Sequence, residues 1–147
     1  MTRRHLLGAI AAAALTAACR STPRSAAPAD IAYGRDPCEF CRMPIDAPQL
    51  AAEFIDAGGR AHKFGEPGCL VNWMRKGTAP AGTAFVTDAG PGGWLPAAAA
   101  AYVTGRVRTP MAYDVTAHRS PPADTPAERV RTWDALLAEG VAGAPVR

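Results

Sequence analysis

Two prolines enclose a pair of closely spaced cysteines in the stretch DPCEFCRMPI. Pro37 and Pro44 each hold the backbone φ angle at about −65°, so the chain between them has few conformations open to it. Cys38 and Cys41 are two residues apart, and Met43 follows at once, which places three sulfur atoms on one short segment. No other stretch constrains the chain as much, because this turn has to serve a disulfide, a reactive dithiol or a metal ion.

The N-terminus predicts an exported protein. Arg3 and Arg4 precede an apolar run that ends in small residues before Cys19. The run is too short for a membrane span and is typical of a secretory signal peptide. The cysteine at its end indicates a lipoprotein signal, so we expect residues 1–18 to be removed and Cys19 to carry a lipid. A plain cleaved signal is the alternative, and the TRRHLL stretch leaves twin-arginine export open.

The charge of the chain argues against a nucleic-acid partner. The formal net charge is +3, and removal of the signal peptide takes away two arginines and no acidic residue. The mature protein is therefore nearly neutral, and no basic stripe with interleaved aromatic residues is present. We expect its partners to be recognised by shape or by soft metal chemistry.

The length of 147 residues and the 48% of hydrophobic residues predict one folded domain. Residues 19–35 are rich in serine, proline and alanine and read as a lipidated, flexible tether. The folded body is expected over residues 36–140, followed by a disordered tail over residues 141–147.

Hydrophobic periodicity in the first half of the body predicts two strands, a helix and a third strand. Residues 50–64 read as a hairpin with a turn at 56–59. Residues 66–77 read as a helix that begins at a Glu-Pro pair and ends at a glycine. Residues 83–88 read as a short strand.

The second half of the body repeats this element order. Residues 94–105 are ambiguous between a helical turn and a strand, and residues 109–119 alternate as a strand does. A helix is predicted with Thr125 as its N-cap, Pro126 at its first position and Glu128 completing a capping box. The sequence therefore predicts an α+β fold, in which two small ββαβ-like units pack into one compact body.

Several uses of the cysteine pair are open from the residues alone. A thiol–disulfide oxidoreductase needs Cys38 at a helix N-terminus after a core strand, and the flanking prolines disfavour this. Attachment of haem is excluded, because Arg42 stands where a histidine is required. A zinc site needs two further ligands, for which Cys69 and a histidine are available. An inert structural disulfide between Cys38 and Cys41 is also possible in an exported protein.

A Cu(I) site is the remaining use. Thiolates and thioethers are polarisable donors that select Cu(I) over harder ions. Met43 can point into the same pocket as the cysteines if the turn is tight, and the segment TPMAYDVTAHR offers Met111 and His118. His62 is a weaker candidate ligand. Alternatively, the two methionines only fill gaps in the hydrophobic core.

Four segments in order, DPCEFCRMPI, HKFGEPGCLVNWM, WLPAAAAAYV and TPMAYDVTAH, resemble the NosL family of exported lipoproteins. The resemblance covers residues 36–118, and its most specific element is Cys-x-x-Cys-x-Met. It implies a membrane-anchored Cu(I)-binding metallochaperone on the periplasmic side of a membrane, without enzymatic activity. It also implies a copper-accepting partner, nitrous oxide reductase or its assembly machinery.

The resemblance implies particular residues as well. Cys38, Cys41 and Met43 match the family motif, and Met111 matches a methionine near the end of the second unit, which we interpret as a copper ligand. Cys69 matches a cysteine of the helical segment, which we interpret as a core residue rather than a ligand.

The chain departs from the family pattern in two places. Gly65 and Glu66 stand where the family carries acidic residues after the phenylalanine, which weakens any role for acids near the helix start. Pro96 replaces an acid after the tryptophan–aliphatic pair and puts the start of a strand in doubt. Neither departure affects the sulfur ligands.

Overall fold

A computed structural model gives the structure of residues 27–143. The predicted signal peptide, Cys19, the first part of the tether and residues 144–147 of the predicted tail lie outside the described residues. The predicted α+β class is confirmed: the described chain forms two small sheets and two α-helices packed into one compact body.

The first sheet has four antiparallel strands in the order β2-β1-β3-β4. The strands are β1 (Ala52–Asp56), β2 (Ala61–Phe64), β3 (Gly82–Thr87) and β4 (Trp94–Pro96). The predicted hairpin is β1 and β2, and the predicted third strand is β3. Because β1 pairs with both β2 and β3, it lies at the centre of the sheet, and four of its five residues are buried.

Helix α1 (Pro67–Arg75) connects β2 to β3, as predicted. Proline at its first turn lacks the N–H that would have no partner there, and the residue before it, Glu66, has an extended backbone. Trp73 packs the helix onto the sheet, with its ring centroid 5.4 Å from that of Phe54 and 5.2 Å from that of Phe64. The start of α1 is buried and lies close to the cysteine segment.

The second sheet has three antiparallel strands in the order β6-β5-β7. They are β5 (Ala101–Thr104), β6 (Val115–His118) and β7 (Val130–Arg131), and helix α2 (Trp133–Glu139) follows. Residues 94–105, which were ambiguous between a helical turn and a strand, contain both, because a single 3-10 turn separates β4 from β5. The second unit thus places its helix after its third strand.

The prediction of a helix that begins at Thr125 is wrong. Residues 130 and 131 instead form β7, which pairs with the edge of β5. The helix begins one element later, where Thr132 is the N-cap and its side chain accepts a hydrogen bond from the Ala135 N–H. Thr125 and Thr132 are both good caps, but pairing along the open edge of β5 stabilises the extended form of residues 130 and 131.

The strand predicted over residues 109–119 is shorter than expected. Only β6 is extended, and residues 109–114 form a loop closed on itself. The Thr109 N–H donates to Asp114 Oδ1, and the Asp114 N–H donates to Thr109 Oγ1, both at 3.0 Å. Ala112 and Asp114 have positive φ angles of 53° and 54°, which a strand does not contain. We call residues 109–114 the methionine loop.

One hydrophobic core joins the two sheets. Phe64 and Leu70 from the first unit and Tyr102 and Val115 from the second belong to the same buried cluster. Beyond the predicted body, the Ala29 N–H donates to Glu53, and residue 141 exchanges hydrogen bonds with the side chain of α1 residue 72. Among residues 27–143, no helix is long and apolar enough to cross a membrane.

Candidate metal centre

The structure brings together the sulfur atoms of three cysteines. The Sγ atoms of Cys38, Cys41 and Cys69 all lie within 4.8 Å of one another, and none of the three forms a disulfide. Thiolates that share a tetrahedral ion at bonds of about 2.3 Å lie about 3.8 Å apart, so small side-chain movements bring all three onto one ion. This cysteine triad can hold a metal ion.

The cysteine loop, residues 36–45, is folded by its own backbone. The Cys38 N–H donates to the Met43 carbonyl at 2.8 Å, and the Arg42 N–H donates to the Cys38 carbonyl at 2.9 Å. A β-bridge joins Pro37 to Pro44, and Arg42 closes the turn with a φ of 67°. The prolines therefore enclose the tight turn that the sequence predicted.

The two residues between Cys38 and Cys41 fasten this loop to the first unit. The Glu39 N–H donates to the Lys63 carbonyl of β2 at 2.8 Å. The Glu39 carboxylate lies 3.0 Å from Nδ1 of His62, so this imidazole supports the loop and does not line the cavity. The ammonium of Lys76 lies 4.7 Å from the ring centroid of Phe40, a cation–π contact. The loop is thus held at both intervening positions.

Cys69 was predicted as a core residue and not as a ligand. It is fully buried in the first turn of α1, as expected of a core residue, but its sulfur faces the other two. Cys69 and Gly65, which precedes α1, line the same cavity as Cys38, so the start of α1 lies beside the cysteine loop. The sequence signal was available: a third cysteine of the body, near the start of a helix that follows β2.

The three thiols are not equivalent. Donation from the Cys69 thiol lowers the pKa of Cys38 to about 5, and N–H groups of Cys41, Gly65 and Phe40 add to this against the opposing effect of burial. That hydrogen bond raises the pKa of Cys69, and burial raises the pKa of Cys41. The metal-free cluster therefore holds one thiolate and two thiols near neutral pH.

Both predicted methionines border the same cavity. Its volume is about 40 Å³, and Met43, Met111 and the three cysteines contribute to its wall. This is enough for an ion with one or two water molecules. Met43 is 46% exposed at its rim, whereas Met111 is half-buried against the core. The wall thus carries thiol and thioether sulfur from three segments of the chain.

Glu66 also lines the cavity, although its departure from the family pattern predicted little role for acids near the helix start. Its side chain does not cap α1. Instead Oε1 accepts a hydrogen bond from the Met111 N–H at 2.8 Å, which fastens the methionine loop to the first unit. Oε2 is buried and accepts no hydrogen bond from residues 27–143. Burial raises the pKa of this carboxyl group, against the lowering effect of Thr109 and Met111.

His118, predicted as an additional ligand, lies elsewhere. It is the last residue of β6, is nearly buried, and does not line the cavity. Its Nε2 lies 2.8 Å from Oγ1 of Thr116. Burial lowers its pKa, and the neighbouring Asp88 carboxylate partly offsets this. Its place in the fold gives no support for a role as a ligand of the cysteine triad.

Comparison of the chain with protein-family models, with curated proteins and with solved structures finds no significant match.

Proposed function

We propose that this protein is a Cu(I)-binding metallochaperone. The observation that carries the proposal is the cavity in which three cysteine sulfurs lie within 4.8 Å of one another beside two methionines. Soft sulfur donors select Cu(I), whereas imidazole and carboxylate ligands suit harder ions. We assign Cys38, Cys41 and Cys69 as the thiolate ligands, with Met43 and Met111 as exchangeable thioethers.

The exposure of the site suits transfer of copper rather than permanent storage. Cys38 and Cys69 are buried, but Cys41 is half-buried and Met43 is exposed, so an acceptor can reach one side of the ion. An acceptor ligand can then bind as a thioether leaves, and copper is never released to water. The resemblance to the NosL family supports a periplasmic, lipid-anchored protein whose acceptor is nitrous oxide reductase or its assembly machinery.

An anaerobic competition titration tests the proposal. Reduced full-length protein is mixed with Cu(I) and a chromophoric chelator that buffers free copper below the nanomolar range. We expect the protein to take one equivalent of copper from the chelator, and Cys38→Ser to lose most of this affinity. Failure of the reduced wild-type protein to compete would overturn the copper proposal.

A thiol–disulfide oxidoreductase is the alternative, and the lowered pKa of Cys38 is the feature that favours it. That sulfur is fully buried, however, and the more accessible Cys41 has a raised pKa. An attacking thiolate has to reach its substrate disulfide. Here the sulfur that ionises easily is buried and the accessible sulfur ionises less easily, which disfavours this reaction. Turnover on a disulfide substrate that persists in Met111→Leu but not in Cys38→Ser would favour the alternative.

A further inference from the structure

A second cavity lies between Tyr33, the 3-10 turn at residues 48–50 and the loop that joins β3 to β4. Its volume is about 320 Å³, which is within the range of cavities that bind small organic molecules. Its wall shares no residue with the wall of the cysteine cavity. It is therefore a separate candidate site, which the proposed copper chemistry does not use.

Asp88 contributes the only acidic or basic side chain among the described residues of this wall. It is 1% exposed, and its Oδ1 accepts a hydrogen bond from the Gly90 N–H at 3.0 Å. Its Oδ2 is buried and accepts no hydrogen bond from residues 27–143. The Nε atom of Arg119 lies 3.9 Å from Oδ2, too far for a hydrogen bond, on a side chain that is 67% exposed. Because an unpaired buried carboxylate oxygen is unfavourable, a donor that reaches Oδ2 would be bound favourably.

The β3–β4 loop holds Asp88 in place through its backbone. The Asp88 N–H donates to the Gly93 carbonyl at 2.9 Å, and the Ala89 N–H donates to the Ala117 carbonyl of β6 at 2.8 Å. Gly92 and Gly93 have φ angles of 87° and 89°, which glycine adopts without steric cost. The carboxylate is thus positioned before any ligand arrives, and a preorganised site loses little binding free energy to ordering.

The other groups of the wall favour a cation. Tyr33 and Trp94 contribute aromatic rings, and the faces of such rings attract cations. Gln49 contributes an amide oxygen that can accept a further hydrogen bond. The hydroxyl of Thr87 already donates to the Ala51 carbonyl at 2.9 Å. The wall therefore offers acceptors and aromatic faces, and no cationic side chain among its described residues would attract an anion.

We infer that this cavity binds a primary alkylammonium group, which donates to Oδ2 of Asp88 while its carbon chain lies against Tyr33 and Trp94. A guanidinium pairs best with both oxygens of a carboxylate, and here Oδ1 is already engaged by the Gly90 N–H. A quaternary ammonium has no N–H to donate to Oδ2. A free amine and the lysine side chain of a partner protein both carry the group that the cavity fits.

The test is an NMR titration of the metal-free, full-length protein, followed at the tryptophan indole N–H signals. The signal of Trp94, assigned with Trp94→Phe, reports on the cavity, and the other two tryptophans serve as internal references. The probes are n-butylammonium, its neutral counterpart n-butanol, tetramethylammonium and Nα-acetyl-lysine amide. Asp88→Asn retains an oxygen for the Gly90 N–H. Glu53→Gln is the matched control, since Glu53 is fully buried, has one unpaired oxygen and lies outside this wall.

We expect n-butylammonium to shift the Trp94 signal to saturation in wild type and in Glu53→Gln. Its affinity should fall by about tenfold or more in Asp88→Asn, because the charged hydrogen bond is lost. Tetramethylammonium should bind more weakly, and n-butanol should cause no saturable shift. Nα-acetyl-lysine amide that binds as tightly as n-butylammonium would identify a protein side chain as the source, and much weaker binding would identify a free amine; both results support the inference.

Three results would overturn the inference: no saturable shift of Trp94 with n-butylammonium, an unchanged affinity in Asp88→Asn, or equal binding of n-butanol. The comparison of n-butylammonium with n-butanol uses wild type alone, so it decides the matter even if Asp88→Asn does not fold. Amine binding is measured without metal, so its failure would leave the copper proposal intact.

Discussion

The cysteine loop and the methionine loop meet at one cavity but are held in different ways. The cysteine loop is fastened to β2 by the Glu39 N–H and buries Cys38 completely. The methionine loop is closed mainly by Thr109 and Asp114, both its own residues, and the only hydrogen bond from Met111 to the first unit is the one that Glu66 accepts. In the proposed copper site the thiols are therefore fixed ligands, and the Met111 thioether belongs to a loop that is held to the first unit by this hydrogen bond and by the packing of Tyr113 on α1.

The largest effect is expected from removing a fixed ligand. Cys69→Ser should lower Cu(I) affinity by more than the ~100-fold that loss of an outer partner of a ligand costs. The loss is measured in the chelator competition. Val71→Thr, also fully buried on α1, adds a hydroxyl group without removing a ligand. Affinity of Cys69→Ser within about threefold of that control would show that Cys69 is only a core residue, because removing a ligand costs far more.

The next largest effect is on the docking of the methionine loop. A Cβ atom at Gly68 would lie 2.4 Å from the ring of Tyr113, so Gly68→Ala has to displace that loop from α1. Overpacking of this kind costs about 1–3 kcal/mol of unfolding free energy, measured by denaturant titration. Gly65→Ala is the control, since a Cβ there meets no atom within 4 Å. Equal stability of the two variants would contradict the close contact.

A smaller effect is expected from removing the thioether of the methionine loop. Met111→Leu keeps the volume and should change the unfolding free energy by less than about 1.5 kcal/mol. Its Cu(I) affinity should fall by about tenfold, because leucine offers no soft donor. Met74→Leu, a partly buried methionine of α1, serves as the control. If Met111→Leu binds copper as tightly as Met74→Leu, Met111 is not a ligand.

The smallest change is expected on mild acidification of the metal-free protein. With a pKa of about 5, Cys38 stays ionised at neutral pH and takes up its proton only as the pH falls through that value. The ultraviolet absorbance of the thiolate should therefore change little down to about pH 6. The thiolate absorbance should be absent from Cys38→Ser and retained in Cys41→Ser. If the thiolate absorbance of the wild type is already lost just below pH 9.0, the ordinary pKa of a cysteine, the hydrogen bonding of the cluster is contradicted.

The parts of the fold that follow local rules were predictable from the sequence. The turn of the β1–β2 hairpin is stabilised by Asp56, whose carboxylate accepts the N–H groups of Gly58 and Arg60. Helix α1 begins at a proline and carries a buried face. The α+β class followed because strand, turn and helix signals alternate along the chain.

The parts that depend on distant contacts were not predictable. Choosing Thr132 over Thr125 as the helix cap required knowing that β7 pairs with β5. The burial of Cys69 was foreseen, but which neighbours its sulfur meets depends on how α1 packs against the cysteine loop. Glu66 carried no pattern of its own, since its partner Met111 lies 45 residues away.

X-ray absorption at the copper edge tests the central claim most directly. Reduced full-length protein carrying one Cu(I) is compared with Cys69→Ser in the same state. If the three clustered thiols bind copper, the wild-type shell contains only sulfur, with at least three donors, and the variant loses one of them. A nitrogen or oxygen donor in the wild type, or an unchanged sulfur count in Cys69→Ser, would contradict the assignment.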